Sequence, residues 1–282
     1  MSSFRNIQNI LLAQPVKLGP HTVNQAIPVP GFPQLSPFIL LHHFNFEIEP
    51  GDNSFSVPAH PHRGFCPITF MYEGSIEHND SLGNNAVIND NEVQWINAGR
   101  GIIHSEKIGK AFAEKGGQYQ GIQLWINLPA AQKMLPPSYQ PITKNEMVLI
   151  QQQDVEIRLV SGVFLGHTGP AYSDAITAMI RMEADAKFEF ELAASQNVAL
   201  YVLEGNLLIN EEKTAGQHQL ISFKKEAGRI LIQSNPSAKI LLMAGEPINE
   251  PFVSHGPFVM NSQTEILEAM RDYQDGKMGF LY

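Results

Sequence analysis

Short apolar runs recur along this sequence, each cut off after a strand's length by Gly, Asn, Asp or Pro, and they leave room for little except β-structure. Pro67-Ile-Thr-Phe-Met-Tyr72, Gly121-Ile-Gln-Leu-Trp-Ile126 and Ala199-Leu-Tyr-Val-Leu203 are three of them. Runs of this length between turn residues read as an all-β barrel or sandwich. A Glu-Gly turn closes one run at Tyr72-Glu73-Gly74-Ser75-Ile76, and the same turn returns at Leu203-Glu204-Gly205-Asn206-Leu207. The repeat implies two copies of one barrel, and 282 residues suffice for two cores. Between the copies, Leu128-Pro-Ala-Ala-Gln-Lys-Met134 reads as a helical turn and Leu135-Pro-Pro-Ser-Tyr139 as a stiff connection. The expected domains are therefore 1–139 and 140–282. Near the end, Ser262 and Glu265 form a capping-box pattern. Ile266, Met270 and Tyr273 then follow at helical spacing, so a short amphipathic C-terminal helix is expected to clamp onto a barrel.

Composition serves mainly to exclude. An apolar fraction of 43% and a charged fraction of 17% are those of an ordered globular chain. A net charge of -9 argues against direct binding to nucleic-acid phosphates, which takes clustered Lys and Arg. No run approaches the ~20 apolar residues of a membrane span, and Ile10-Leu-Leu-Ala13 falls short of a signal-peptide core of roughly 7 to 15 residues. Cys66 is the single cysteine; it permits no internal disulfide and reads as a core thiol, which fits a reducing compartment such as the cytoplasm or nucleus.

The residues with chemistry come in two pairs. Ala59-His60-Pro61-His62-Arg63-Gly64 places two imidazoles two residues apart, and on an extended strand such residues share a face. Gly101-Ile-Ile-His104-Ser105-Glu106 repeats the spacing with one imidazole and one carboxylate. Two such strands lining one barrel could surround one ion. Three neutral imidazoles and a carboxylate suit Fe(II), Mn, Ni, Cu or Zn, whereas Ca or Mg would prefer all-oxygen ligands. Four ligands leave positions for water, oxygen or substrate.

The two histidine-bearing motifs, the Glu-Gly turn and the stretch Ala98-Gly99-Arg100-Gly101-Ile102-Ile103-His104-Ser105-Glu106 resemble the pirin version of the two cupin motifs. The likeness continues through Gln123-Leu-Trp-Ile-Asn-Leu128, Lys133-Met-Leu-Pro-Pro137, Gly245-Glu-Pro-Ile-Asn-Glu-Pro251 and Gly256-Pro-Phe-Val-Met-Asn261. It implies two tandem cupin (jelly-roll) barrels, with one divalent transition metal, iron first, held in the N-terminal barrel by His60, His62, His104 and Glu106. As in pirins, the glutamate that closes the first motif of general cupins is lacking after His62, which makes Glu106 the decisive carboxylate. The resemblance also implies an iron-dependent quercetin 2,3-dioxygenase, cleaving a flavonol with O2 and releasing CO, with Glu106 as catalytic base. Its alternative is a non-enzymatic redox-sensing cofactor that binds a transcription regulator or another protein.

Counting back from the second Glu-Gly turn puts Glu191 and Ala193 where His60 and His62 stand in the first copy, so the C-terminal barrel is expected to be metal-free. His167, His218 and His255 have no partner spacing. His78 and Asp80 are candidates either to orient a ligand through hydrogen bonds or to sit in a solvated loop. Gln123 and Trp125 share a strand face and either line a pocket or pack in the core. Arg100 lies between two glycines before the ligand strand, facing an anionic substrate or simply following a tight turn. His42 and His43 are adjacent, point to opposite faces and are read as structural.

Overall fold

The computed structural model describes residues 3–19 and 21–281; the outermost expected domain bounds, 1 and 282, lie outside them. The chain forms two antiparallel β-barrels, as its strand-length runs require, and they divide the chain in an interleaved way. One unit, here the first barrel, runs Phe38–Thr143 and takes up the chain again from Ile248. The other, the second barrel, combines the chain up to Pro37 with Lys144–Pro247. These units differ from the expected 1–139 and 140–282 in both end segments. The physical reason lies in edges and faces. Strand Ile7–Leu12 supplies an antiparallel partner for Gln219–Phe223 in the second barrel. The helix Gln263–Gln274 buries Ile266 and Ala269 against Ile103, Phe258 and Met260 of the first. The expected capping box forms: Ser262 Oγ accepts from the Glu265 backbone and the Glu265 carboxylate accepts from the Ser262 backbone.

In the first barrel a large sheet contains, in order, Ser138–Ile142, Glu92–Asn97, Phe65–Glu73, Gly117–Asn127 and Phe38–Ile48. A four-stranded sheet carries Ser56–His62, Ile102–Ile108, Ile76–Asp80 and Asn85–Ile88. Cross-sheet pairs such as His62 with Trp125 and His78 with Tyr139 show that the two sheets face one another. The second barrel repeats the small sheet as Lys187–Glu191, Arg229–Ser234, Asn206–Ile209 and Lys213–Gly216. The Glu-Gly turns occupy equivalent corners of the two. Gly74 and Gly205 both have positive φ, +101° and +79°, and a Cβ on Gly205 would lie 2.0 Å from the Ser237 carbonyl oxygen, so only glycine fits.

Ladder register corrects the alignment drawn from sequence. Counting on from the two turns, Ile76 lies opposite Ile108 and Leu207 opposite Ser234. One step further in, His78 lies opposite Glu106 and Ile209 opposite Ile232. On the central strand, His104 lies opposite His60 and Ile230 opposite Phe190. The counterparts of His60 and His62 are thus Phe190 and Leu192, not Glu191 and Ala193. One more residue separates Phe190 from its turn than separates His60 from its own. Because side chains alternate, a slip of one residue exchanges the buried face for the exposed one.

Cys66 is buried in the first barrel, and burial pushes its thiol up to about 12, as befits a core thiol. Among the described residues no helix is long and apolar enough to cross a membrane.

Candidate metal centre

His60 and His62 sit at the end of an edge strand, and the turn after them is clamped. Buried Arg63 donates from Nε to the Arg100 carbonyl (2.6 Å) and pairs with Asp272 (3.0 Å). Buried Lys133 donates from Nζ to the carbonyls of Gly64 (2.7 Å) and Val259 (3.0 Å) and to Asn127 Oδ1 (2.6 Å). A Cβ at Gly64 would lie 2.0 Å from the Val259 oxygen. The strand end that carries both imidazoles is therefore held from three sides.

His60 Nδ1 donates to the Pro58 carbonyl at 2.8 Å, and the Pro257 carbonyl faces the His62 ring. With its Nδ1 proton committed to the Pro58 carbonyl, His60 turns its Nε2 lone pair toward His62 Nε2, 3.0 Å away. His104 packs over both, its ring centroid 4.4 Å from that of His60 and 4.9 Å from that of His62, and neither of its buried nitrogens has a hydrogen-bond partner. Burial first, and the neighbouring imidazoles second, hold His62 and His104 well below the ordinary histidine pKa. Both are therefore neutral at pH 7, the state in which imidazole ligates metal. One donor atom from each of His60, His62 and His104 lies within 4.8 Å of the others.

Glu106 stands apart from that triad. Its Oε1 accepts a very close hydrogen bond from Gln94 Nε2, and its donor atom gathers with those of His104 and His78. A bulge between His104 and Glu106 sets Glu106 opposite Val57 on one side while its other edge keeps register with His78. Burial raises the carboxyl above its ordinary pKa, against the opposing pull of His60, His78 and the Gln94 bond. The four expected ligands thus lie in one interior but form two groups, and His104 belongs to both.

His78 and Asp80 lie on a strand rather than in a solvated loop; both side chains are fully buried, and His78 Nε2 is 2.9 Å from Asp80 Oδ2. Burial acts to raise the Asp80 pKa, but hydrogen bonds from His78, Asn84 and Leu82 bring it below its ordinary value. Trp125 sits edge-on to His62 at 5.6 Å and against Phe65 at 4.3 Å, with Nε1 donating to Gln123 Oε1. It therefore lines the site and packs at once. The Arg100 side chain is exposed, and only its carbonyl enters the network around His62. His42 is half-buried and His43 fully buried; burial lowers His42 to about 4. His167 and His255 are exposed and His218 lies beside Asn24, all outside both donor groups.

Two residues escaped the sequence reading. Gln94 donates to Glu106 from the facing sheet and to Thr69 (3.3 Å) on the neighbouring strand of its own sheet, and Tyr139 stacks on His78 with centroids 4.0 Å apart and planes at 6°. The signal for Gln94 was a polar residue inside the strand-like run Glu92-Val-Gln-Trp-Ile-Asn97. Tyr139 carried none, because its neighbour is set by tertiary pairing alone. A cavity of ≈ 310 Å³ lies in the second barrel beside Ile7, Lys213 and Lys224, and none of the residues above lines it.

Residues 21–126 match the family model described as Pirin, and residues 177–279 match the one described as Pirin C-terminal cupin domain. The chain is 36% identical to Pirin-1 of Arabidopsis thaliana over 253 residues, 87% of this chain and 84% of that one. It is 33% identical over 292 residues to a Pseudomonas aeruginosa protein provisionally named a quercetin 2,3-dioxygenase, covering 98% of this chain and 99% of that one. A crystal structure of quercetin 2,3-dioxygenase from Acinetobacter baumannii superposes with a TM-score of 0.92 at 29% identity, covering 99% of this chain and 100% of that one. Two barrels of one topology, the imidazole cluster in the first and these matches across both halves converge: the chain belongs to the pirin family of the cupin superfamily.

Proposed function

We propose that the protein is a metal-dependent dioxygenase, with iron as the physiological ion, that cleaves a flavonol such as quercetin with O2 and releases CO. The observation that carries this reading is the gathering of His60, His62 and His104, with one donor atom from each within 4.8 Å of the others and the Nε2 atoms of His60 and His62 3.0 Å apart. His60, His62 and His104 would hold the ion, with Glu106 as the fourth ligand. When bound, the ion supplies a Lewis-acid seat for two substrate oxygens and redox access to O2.

The chain's own residues then have separable tasks. His60 is only partly buried while His62 and His104 are buried, so substrate approaches from the His60 side. Trp125, backed by buried Phe65, offers an aromatic face for a flat ring system. Glu106 accepts the proton of the flavonol 3-hydroxyl, a task suited to a carboxylate whose proton affinity burial has raised. Ligation stabilises the carboxylate charge and opposes that task, so Glu106 works as base when it is off the ion and on Gln94. The names of the Pseudomonas and Acinetobacter relatives support the choice of substrate class.

The test is anaerobic loading with Fe(II), then oxygen uptake and CO detection with quercetin, alongside Glu106→Gln. Metal-dependent uptake with CO, lost in the variant, is the expected result. Tight iron binding without turnover would end the dioxygenase reading in favour of a redox-responsive protein-binding role.

A further inference from the structure

His78 stands one ladder step beyond the expected ligands and is built like one of them. It lies directly opposite Glu106, while Asp80 lies opposite His104. Its Nε2 faces Asp80 Oδ2 at 2.9 Å. That carboxylate also accepts from the backbone of Leu82 (2.9 Å) and Asn84 (3.1 Å) and from Asn84 Nδ2 (2.9 Å to Oδ2). Every atom Asp80 presents is an acceptor, so in the neutral ring Nε2 carries the proton and Nδ1 the lone pair. Nδ1 is fully buried and has no hydrogen-bond partner. The stacked ring of Tyr139 fixes the imidazole plane. An imidazole that gives one nitrogen's proton to a buried carboxylate and keeps the other free is the usual form of a metal ligand. Donor atoms of His78, His104 and Glu106 all lie within 4.8 Å of one another.

We infer that His78, His104 and Glu106 form a second donor set for a divalent transition metal, overlapping the three-imidazole set at His104, so that the centre has two seats. The inference rests on the reading of His60, His62 and His104 as a metal site. Two imidazoles and one carboxylate suit the same borderline ions as the first set. The seats are taken one at a time, because a neutral imidazole has one lone-pair nitrogen and both sets need His104. On the Glu106 side the nitrogen concerned is Nδ1, 3.9 Å from Glu106 Oε1. The arrangement gives Glu106 a ligand's place without moving it to His60 and His62. His78 is then a ligand of the second seat, and Asp80 and Tyr139 are positioning residues.

Co(II) is the probe, since its visible absorption reports ligand number and type, with bound metal counted after gel filtration. The unaltered chain is expected to bind one equivalent. His60→Ala/His62→Ala should still bind one equivalent, more weakly and with an altered spectrum. Adding His78→Gln to that double variant should weaken binding at least tenfold, and adding Asp80→Asn should weaken it about 10- to 100-fold. Thermal melts of the metal-free variants separate lost ligation from lost folding; Asp80→Asn keeps the size of the side chain should His78→Gln fold poorly. A double variant that binds no Co(II), or binds it equally with and without His78, overturns the second seat and leaves the first standing. An unaltered chain that binds no Co(II) removes the underlying site as well.

Discussion

The two barrels share a small sheet of the same strand order and a Glu-Gly turn at the same corner, yet their interiors have opposite chemistry. Where the first barrel carries His60, His104, Glu106 and His78, the second carries Phe190, Ile230, Ile232 and Ile209, all buried. Each apolar side chain in the second barrel adds transfer free energy, about 1.5–3 kcal/mol when fully buried. Each polar one in the first instead bears a desolvation cost that only a bound ion or a hydrogen bond offsets. The same framework therefore serves once as a stable core and once as a site, and the second use is sustained by clamps outside the interior. Arg63 and Lys133 are two of these, buried and fully engaged around the turn that follows His62.

The sharpest way to break this comparison is to remove His104, the residue both donor groups share. His104→Ala should abolish binding of one equivalent of divalent metal, measured by elemental analysis after dialysis. His167→Ala, on an exposed stretch of the second barrel, should leave it intact. Equal losses in both would mean that the interior chemistry of the first barrel is not what holds the ion.

Next in size come cuts into the two interiors. Ile232→Ala should lower stability by about 2–5 kcal/mol, the transfer term plus a cavity. Its counterpart, Glu106→Leu, replaces a buried carboxylate with an apolar side chain of similar volume and should leave the metal-free protein as stable or more so. Calorimetry on the metal-free proteins decides it. A large loss for Glu106→Leu would show that its bond from Gln94 contributes more than its burial costs.

How far the sequence made this legible follows from the range of the forces involved. Strand-length runs and turn glycines act locally, so the all-β class, the repeat and the helix cap at Ser262 could be read directly. The His60/His62 and His104/Glu106 pairs were legible because a strand's period of two puts each pair on one face. What could not be read depends on pairing across the barrel. The bulge beside Glu106 and the bond from Gln94 draw the carboxylate toward His78, and Tyr139 reaches His78 from the facing sheet. The one-residue slip that put Glu191 in place of Phe190 has the same origin, since only the ladder fixes register.

Acid separates the barrels by another route. Burial holds His42 at about 4 and keeps His62 and His104 well below the ordinary value, and all three belong to the first barrel. In the unfolded chain these groups take protons near pH 6.5, which the folded state refuses, so stability falls as pH drops below about 6.5. Glu106, with its pKa raised, acts in the opposite sense with one proton against three. Three protons bound the loss at about 4 kcal/mol per pH unit for the metal-free first barrel, and Glu106 reduces it. The chain's two tryptophans, Trp95 and Trp125, both lie there, so their emission follows that barrel. Denaturant midpoints from that emission should fall between about pH 7 and about pH 5.5, and a flat profile would contradict the neutral-imidazole interior on which metal binding depends.

The smallest effect tests which barrel the C-terminal helix serves. Ser262→Ala removes the acceptor for the Glu265 backbone N–H and should cost about 1 kcal/mol. Because Ile266 and Ala269 pack on Ile103, Phe258 and Met260, that cost should fall on the first barrel, next to the strand that carries His104 and Glu106. Tryptophan emission should report it as a lowered denaturant midpoint with an unchanged slope. An unchanged midpoint would mean that the helix unfolds before the barrel does and takes the Arg63–Asp272 pair with it; its packing would then add nothing to the strand that carries His104 and Glu106.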